Sequence, residues 1–218
     1  MLKRAFWTSL AAVVVAAVFS VPATAQQQGG HYDFFAQRMT EPWEKLLGKT
    51  APDVKLKTLA GGTFDLSSFK DKKIVVMDFW ASWCPPCRIL MPAFAEVAKE
   101  YKDKDVVFYA VNQGESPEVA RMFLEQSGLE LNVVLDREGK ASEAYKVNTI
   151  PRLVIVDKDG TVQSIHASLR GRSAQEAQAN AKEDLSKELD KLLKGEKLVK
   201  PDPGESTVEA KKDAGEKP

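Results

Sequence analysis

Residues 74–87 read IVVMDFWASWCPPC, a nearly continuous apolar run that leads directly into two cysteines separated by two prolines. An apolar run of this length is typical of a central strand that is covered on both faces. The two prolines suit the first turn of a helix, where a missing amide hydrogen leaves no bond unmade. The stretch therefore predicts a strand over 74–80, followed at Cys84 and Cys87 by a helix over about 85–101.

The N-terminus has the three parts of a secretory signal peptide. Lys3 and Arg4 precede an apolar run over 5–21, and an Ala-Thr-Ala sequence at 23–25 supplies a cleavage site. The run is short for a membrane span, which needs about 20 apolar residues, and an uncleaved anchor is the alternative. We expect residues 1–25 to be removed on export, which predicts a periplasmic or extracellular protein with no membrane span after cleavage.

Cys84 and Cys87 are the only cysteines of the chain, and export would place them where disulfides persist. A purely structural disulfide explains the two cysteines poorly, because closing a four-residue loop stabilises a fold by only about 2 kcal/mol in the chain-entropy model. A zinc site needs about four ligands, and only His31 and His166 could join the cysteines as soft or imidazole donors. The pattern favours redox catalysis, with no metal and no cofactor beyond the cysteine pair.

The position of each cysteine predicts its role. A thiolate attacks disulfides, so the pKa of one thiol must be lowered. Cys84 would lie at the N-cap of the predicted helix, where amide groups and the helix dipole favour an anion, so we predict that it is the exposed nucleophile. Cys87 would lie one turn further on, as the resolving thiol. Pro85 and Pro86 have no amide hydrogen to offer a thiolate, which favours a reductant over a strong oxidant.

Asp78 interrupts the apolar strand six positions before Cys84. A buried carboxylate is costly, and desolvation raises its pKa. Two interpretations are open: a strand-end aspartate that reaches water, or a buried proton acceptor that helps Cys87 to lose its proton. Of the two tryptophans that flank the site, Trp83 is predicted to form an exposed apolar lip and Trp80 to belong to the core.

The rest of the chain predicts an α/β domain. A hairpin over 54–66 precedes the central strand, strands and helices then alternate, and Ser173 starts a capping box before the last helix. A parallel βαβ unit followed by an antiparallel hairpin implies a mixed central sheet flanked by helices. We predict an N-terminal extension over 26–47, a domain over 48–194 and a disordered polar tail over 195–218. A net charge of zero argues against a nucleic-acid partner.

Several motifs resemble the thioredoxin superfamily, and more narrowly its exported TlpA/ResA-like thiol–disulfide oxidoreductases. They are FWASWCPPCR at 79–88 and TIP at 149–151, supported by GKTAPD at 48–53 and NQGES at 112–116. The resemblance covers about residues 46–194. It implies a thioredoxin fold with a β-hairpin added at the N-terminus.

The resemblance also implies roles for site residues. Cys84 would be the nucleophile and Cys87 the resolving thiol, with a cis peptide bond at Pro151 beside them. In this fold the neighbourhood of that proline receives the substrate backbone as an added strand. The implied substrate-binding residues are Trp83, Pro85, Pro86, Ile150 and Pro151.

Three positions of this chain are unusual for the family. Leu90 stands where many relatives carry glutamate three residues after the second cysteine, and Asp78 stands where many have asparagine. We infer that Asp78 has taken over the proton handling of the missing acid. Arg152, directly after Pro151, is unusual too, and we expect it to bear on partner choice.

The resemblance implies an exported, monomeric reductase of protein disulfides, supplied with electrons by a membrane-embedded donor. Cytochrome c maturation and delivery of reduced thiols to copper sites are common duties in the family. A thiol peroxidase is one alternative, because residues 48–56 also resemble the start of peroxiredoxins, but Ala81 stands where their Thr-x-x-Cys context needs threonine. A non-enzymatic copper metallochaperone is the other, and it would need a wider cysteine spacing and a well-placed histidine.

Overall fold

The computed structural model describes residues 42–167 and 169–200. The predicted signal peptide, residues 26–41 of the predicted extension and residues 201–218 of the predicted tail lie outside the described residues. Within the described ranges, no helix has the length and apolar character needed to cross a bilayer.

A seven-stranded mixed sheet forms the centre of the domain. Its strands are β1 (Lys55–Thr58), β2 (Thr63–Asp65), β3 (Ile74–Trp80), β4 (Val106–Gln113), β5 (Val133–Asp136), β6 (Arg152–Val156) and β7 (Val162–His166). They lie in the order β2-β1-β5-β4-β3-β6-β7. β3 pairs in parallel with β4 and antiparallel with β6, and β1 and β2 form an antiparallel hairpin. The predicted mixed sheet and the predicted N-terminal hairpin are confirmed.

The described residues also form four α-helices and two short 3-10 turns. The helices are α1 (Pro85–Glu100), α2 (Pro117–Ser127), α3 (Lys140–Ala144) and α4 (Ala174–Leu193), and the turns are Pro42–Leu46 and Leu66–Phe69. The helix predicted from Ser173 starts there, because its hydroxyl accepts a hydrogen bond from the amide three residues on, and Ser116 caps α2 in the same way.

Alternate residues of β3 face opposite sides of the sheet. Ile74 and Val76 pack with apolar residues of α1 and α4. Val75 and Met77 pack on the other face, in a cluster that includes residues of β6, β7, α3 and the N-terminal hairpin. The same alternation places Asp78 on the face that α1 and α4 cover.

The segment just before β1 pairs with the edge strand β7. The amide of Gly48 donates to the carbonyl of Val162 at 2.9 Å, and the amide of Val162 donates to the carbonyl of Lys49 at 2.9 Å. The amide of Ala51 donates to the carbonyl of Gly160 at 2.8 Å. The chain thus reaches one edge of the sheet before it forms β1 near the other.

The first part of the predicted tail contacts the domain. Lys197 Nζ donates to Asp157 Oδ2 at 2.5 Å and to Asp159 Oδ2 at 2.6 Å. The amides of the next two residues donate to Oε1 of Gln163, a residue of β7, at 2.9 and 3.2 Å. Contacts of this kind between a polar tail and a distant strand leave no periodic pattern in the sequence.

Candidate active site

Cys84 caps the N-terminus of α1, as its position in the sequence predicts. Its backbone is extended, with φ −90° and ψ 103°, and its Sγ accepts a hydrogen bond from the amide of Cys87 at 3.3 Å. The two sulfurs form a disulfide, with the Cα atoms 5.3 Å apart. Pro85 and Pro86 fill the first two helical positions, so Cys87 is the first residue of α1 with an amide hydrogen to donate.

Both cysteines are buried, and the prediction that Cys84 is exposed is wrong for this disulfide form. Cys84 is 3% exposed and Cys87 is 1% exposed. The reason is an apolar cluster that closes around the sulfurs, whereas the sequence suggested only a helix N-terminus open to solvent. The buried members that pack with the two cysteines are Trp80, Ala81, Met91, Ala110, Ala120 and Val133.

The other residues expected at the site surround this cluster. Trp83 is 67% exposed, and Trp80 is fully buried, as predicted. Pro85 is exposed and Pro86 is half-buried.

The loop before β6 reaches the same place. Ile150 is half-buried and packs against the cluster that holds both cysteines. The peptide bond between Ile150 and Pro151 is cis, and Pro151 is buried directly before β6. The structure therefore brings together the two sequence motifs that lie more than sixty residues apart.

Asp78 is a buried carboxyl group on the α1 face of β3. It is 7% exposed, and its Oδ1 is buried with no hydrogen-bond partner among the described residues. Burial raises the pKa of Asp78 well above its usual value. The geometry therefore favours the interpretation of Asp78 as a buried carboxyl group with a raised proton affinity.

A second carboxylate, which was not predicted from the sequence, fixes the loop ahead of Cys84. Glu115 Oε2 accepts from the amide of Ser82 at 2.9 Å and from Asn112 Nδ2 at 2.6 Å, and its Oε1 accepts from Ser82 Oγ at 2.5 Å. Asn112, the penultimate residue of β4, lies in register with Trp80 at the end of β3. The available signal was that neighbouring parallel strands end at one edge of a sheet, so polar residues after β4 lie near the cysteines.

The two other unusual positions are both buried. Leu90 is fully buried in the cluster beneath α1 and α4, so no acid replaces the family's glutamate at that place. Arg152 is 3% exposed, and burial lowers its pKa. Its side chain therefore does not present its charge to a partner at the surface.

Metal-binding groups are not assembled in the part of the chain that the structure describes. No cluster of three or more His, Cys, Asp or Glu side chains is arranged there to hold an ion. His166, one of the two histidines that could have served as a zinc ligand, lies on β7 with Nε2 at 3.0 Å from Glu188 Oε2. The other candidate, His31, lies outside the described residues.

Comparison with known proteins agrees with this geometry. The model of the AhpC/TSA family matches residues 47–165. The chain is 36% identical to the thiol-disulfide oxidoreductase ResA of Geobacillus kaustophilus (strain HTA426) over 134 residues, which is 62% of this chain and 76% of that protein.

Solved structures of thiol–disulfide oxidoreductases share the fold. The thioredoxin domain of a thiol-disulfide oxidoreductase from Bacteroides vulgatus has a TM-score of 0.54 and 26% identity, over 65% of this chain and 96% of that one. A secreted Mycobacterium tuberculosis disulfide oxidoreductase homologous to E. coli DsbE has a TM-score of 0.50 and 25% identity, over 59% of this chain and 93% of that one. With a cysteine pair that caps a helix beside a buried proline loop, the chain belongs to the AhpC/TSA family and is a thiol–disulfide oxidoreductase with a thioredoxin fold.

Proposed function

We propose that this oxidoreductase is an exported reductase of protein disulfides. The observation that carries the proposal is the environment of Cys84 at the start of α1. An N-cap side chain ordinarily accepts from the amides of the second and third helical residues. Here prolines hold the first two positions, and the amide of Cys87 donates to Cys84 Sγ. A thiolate with fewer donors is less stabilised, which favours the disulfide form and hence a reducing couple.

The reaction is a two-step thiol–disulfide exchange. The Cys84 thiolate attacks one sulfur of the substrate disulfide, and the other substrate sulfur leaves as a thiolate that takes up a proton. The Cys87 thiolate then attacks Cys84 Sγ. The mixed disulfide breaks, the second substrate thiol leaves, and the Cys84–Cys87 disulfide forms. Two electrons pass from the dithiol to the substrate.

Asp78 is the proposed acceptor for the proton that Cys87 loses in the second step. Cys87 is buried too deeply for ready access by water. Asp78 lies on the same face of the sheet as α1, and its raised pKa brings its proton affinity closer to that of a thiol. A carboxyl group matched in this way can take the proton during resolution and return it when the dithiol is regenerated.

The remaining surroundings of the site are the proposed binding surface. Trp83 and Pro85 are exposed, and Pro86 and Ile150 are half-buried. A substrate segment would lie across these apolar groups, with its backbone added as a strand beside Pro151.

The proposed location and partners follow from the signal-peptide pattern over 1–25. The similar disulfide oxidoreductase of M. tuberculosis is described as secreted, which supports export of this chain. A reductase in an oxidising compartment needs a renewed supply of electrons, and a membrane-embedded dithiol donor would provide it. Cytochrome c maturation, or delivery of reduced thiols to copper sites, are the proposed duties of a monomeric enzyme.

The decisive experiment is the midpoint potential of the Cys84–Cys87 couple, measured by equilibration in glutathione or dithiothreitol buffers. We expect a value close to that of thioredoxin, about −270 mV. A value near that of DsbA, about −120 mV, would instead make the protein an oxidant. Purified protein should also accelerate insulin reduction by dithiothreitol, and the Cys84→Ser variant should not. Faster turnover of hydrogen peroxide than of insulin would support the thiol peroxidase alternative.

A further inference from the structure

Arg152 is a buried cation directly after the Pro151 loop, and its contacts matter because burying a charge is costly unless other groups compensate it. It is the first residue of β6 and lies in register with Phe79 of β3. Asp78, one residue earlier on β3, faces the other side of the sheet. The two buried ionisable groups are therefore separated by the sheet, and Arg152 is not the counterion of Asp78.

The described contacts of the guanidinium lead to two other residues. Arg152 Nη2 donates to Thr149 Oγ1 at 3.1 Å. Its Cζ lies 5.2 Å from the centroid of the Trp43 ring, within the range of a cation–π contact. Trp43 belongs to the 3-10 turn over Pro42–Leu46, and it packs against the apolar cluster on this face of the sheet.

These contacts close the base of the loop that approaches the cysteines. Thr149 lies at one end of the loop and Arg152 at the other, so their hydrogen bond joins the two ends across Ile150 and Pro151. Ile150 in turn packs against the cluster that contains Cys84 and Cys87. The hydrogen bond therefore restrains the loop whose Ile150 packs against this cluster.

We propose that Arg152 and Trp43 form a latch that positions the loop over 149–151 for docking of a protein substrate. The proposal rests on the proposed function, in which a substrate backbone adds as a strand beside this loop. A loop that is already held in place loses less conformational freedom when the substrate binds. The latch acts on binding of extended peptide substrates and takes no part in the thiol chemistry. Arg152 and Trp43 are thus positioning residues that favour protein substrates over small disulfides.

Thr149→Val removes the hydrogen bond to Arg152 without removing a buried group, because Thr149 is exposed and valine has nearly the same shape. Thr149→Ser keeps the hydroxyl and should restore the wild-type behaviour. Arg152→Lys keeps the charge but loses the planar guanidinium group that contacts both Thr149 and Trp43. Trp43→Leu removes the ring. Thr63→Val, at an exposed position of β2, is the matched control.

The readout is the Michaelis constant for a synthetic peptide with one intramolecular disulfide, compared with the rate of reduction of the small aromatic disulfide DTNB. We expect Thr149→Val and Arg152→Lys to raise the KM for the peptide about tenfold, the effect of losing one charge-assisted hydrogen bond. The kcat for the peptide, the DTNB rate and the midpoint potential should change less than about twofold. Thr149→Ser and the control should match the wild type.

Two results would overturn the latch: an unchanged KM for the peptide, or equal losses with the peptide and with DTNB. The second would mean general damage to the site. A wild type that oxidises the dithiol peptide but does not reduce its disulfide overturns only the reductase proposal, and the same KM comparison with the dithiol peptide then decides the latch. A wild type that does neither overturns both proposals.

Discussion

Replacement of Asp78 by asparagine should remove a pH-dependent loss of stability from the disulfide form. An aspartate in an unfolded chain has a pKa of about 3.9, and burial raises the pKa of Asp78 well above this in the folded protein. The folded state therefore keeps a proton that the unfolded state releases. The stability that this proton supports is fully present below about pH 4, and it is lost as the pH rises towards the raised pKa.

The size of the effect follows from linkage. One proton retained only by the folded state lowers the free energy of unfolding by about 1.4 kcal/mol for each pH unit. Between about pH 4 and the raised pKa, the wild type should therefore lose about 1.4 kcal/mol for each pH unit relative to Asp78→Asn, whose amide does not titrate. Even one such unit is a sizeable part of the total stability of a domain, which is about 5–15 kcal/mol.

Urea unfolding at pH 5, 6, 7 and 8, followed by far-ultraviolet circular dichroism with the disulfide intact, measures this difference. Asp103→Asn, on an exposed loop, is the control and should run parallel to the wild type. Parallel curves for Asp78→Asn and the wild type would refute the reasoning, because they would mean that folding leaves the proton affinity of Asp78 unchanged. If Asp78→Asn reduces a model disulfide at the same rate as the wild type at every pH from 6 to 9, Asp78 is not the proton acceptor.

Four further substitutions test the order of action of the cysteines, the packing of α1 against α4 and the role of the exposed Trp83. Cys87→Ser should accumulate a mixed disulfide with a substrate peptide, visible by mass spectrometry, whereas Cys84→Ser should not, and the opposite result would reverse their roles. Tyr101→Phe removes the 2.7 Å hydrogen bond that the Tyr101 hydroxyl donates to Asp190 Oδ1 of α4. Burial raises the pKa of Tyr101 to about 12, so the hydroxyl keeps its proton at pH 7. Urea unfolding at pH 7 should show a loss of about 1.5 kcal/mol in the free energy of unfolding, and no loss would mean that the bond contributes nothing. Trp83→Ala should change stability by less than about 0.5 kcal/mol yet slow insulin reduction about three- to tenfold, and an unchanged rate would remove Trp83 from the binding surface.

Local patterns predicted the elements that carry the site. The apolar run before the cysteines became a strand in which every residue is buried. The prolines after Cys84 and the capping box at Ser173 mark helix starts at the places where the structure has them. These features are readable because each depends on residues that are neighbours in sequence.

Contacts between distant segments could not be predicted in the same way. The bond between Glu115 and Ser82 spans 33 residues, and it exists because β4 pairs with β3. The burial of Cys84 likewise depends on the packing of β3, β4, β5 and α2 around it. The contacts of Lys197 with the turn before β7 span about forty residues. Each requires the strand order, which hydrophobic periodicity alone does not specify.

The pairing of Gly48, Lys49 and Ala51 with β7 bears on how copies of the protein meet one another. An edge strand with unpaired backbone groups is a template for a strand of another molecule, and that is a route to aggregation. Here the chain covers part of this edge with its own backbone, and the amides of Leu198 and Val199 donate to Gln163 of the same strand. The opposite edge, β2, is only three residues long. A truncated variant that starts after Ala51 would uncover the β7 edge, and we expect it to self-associate where the longer chain does not.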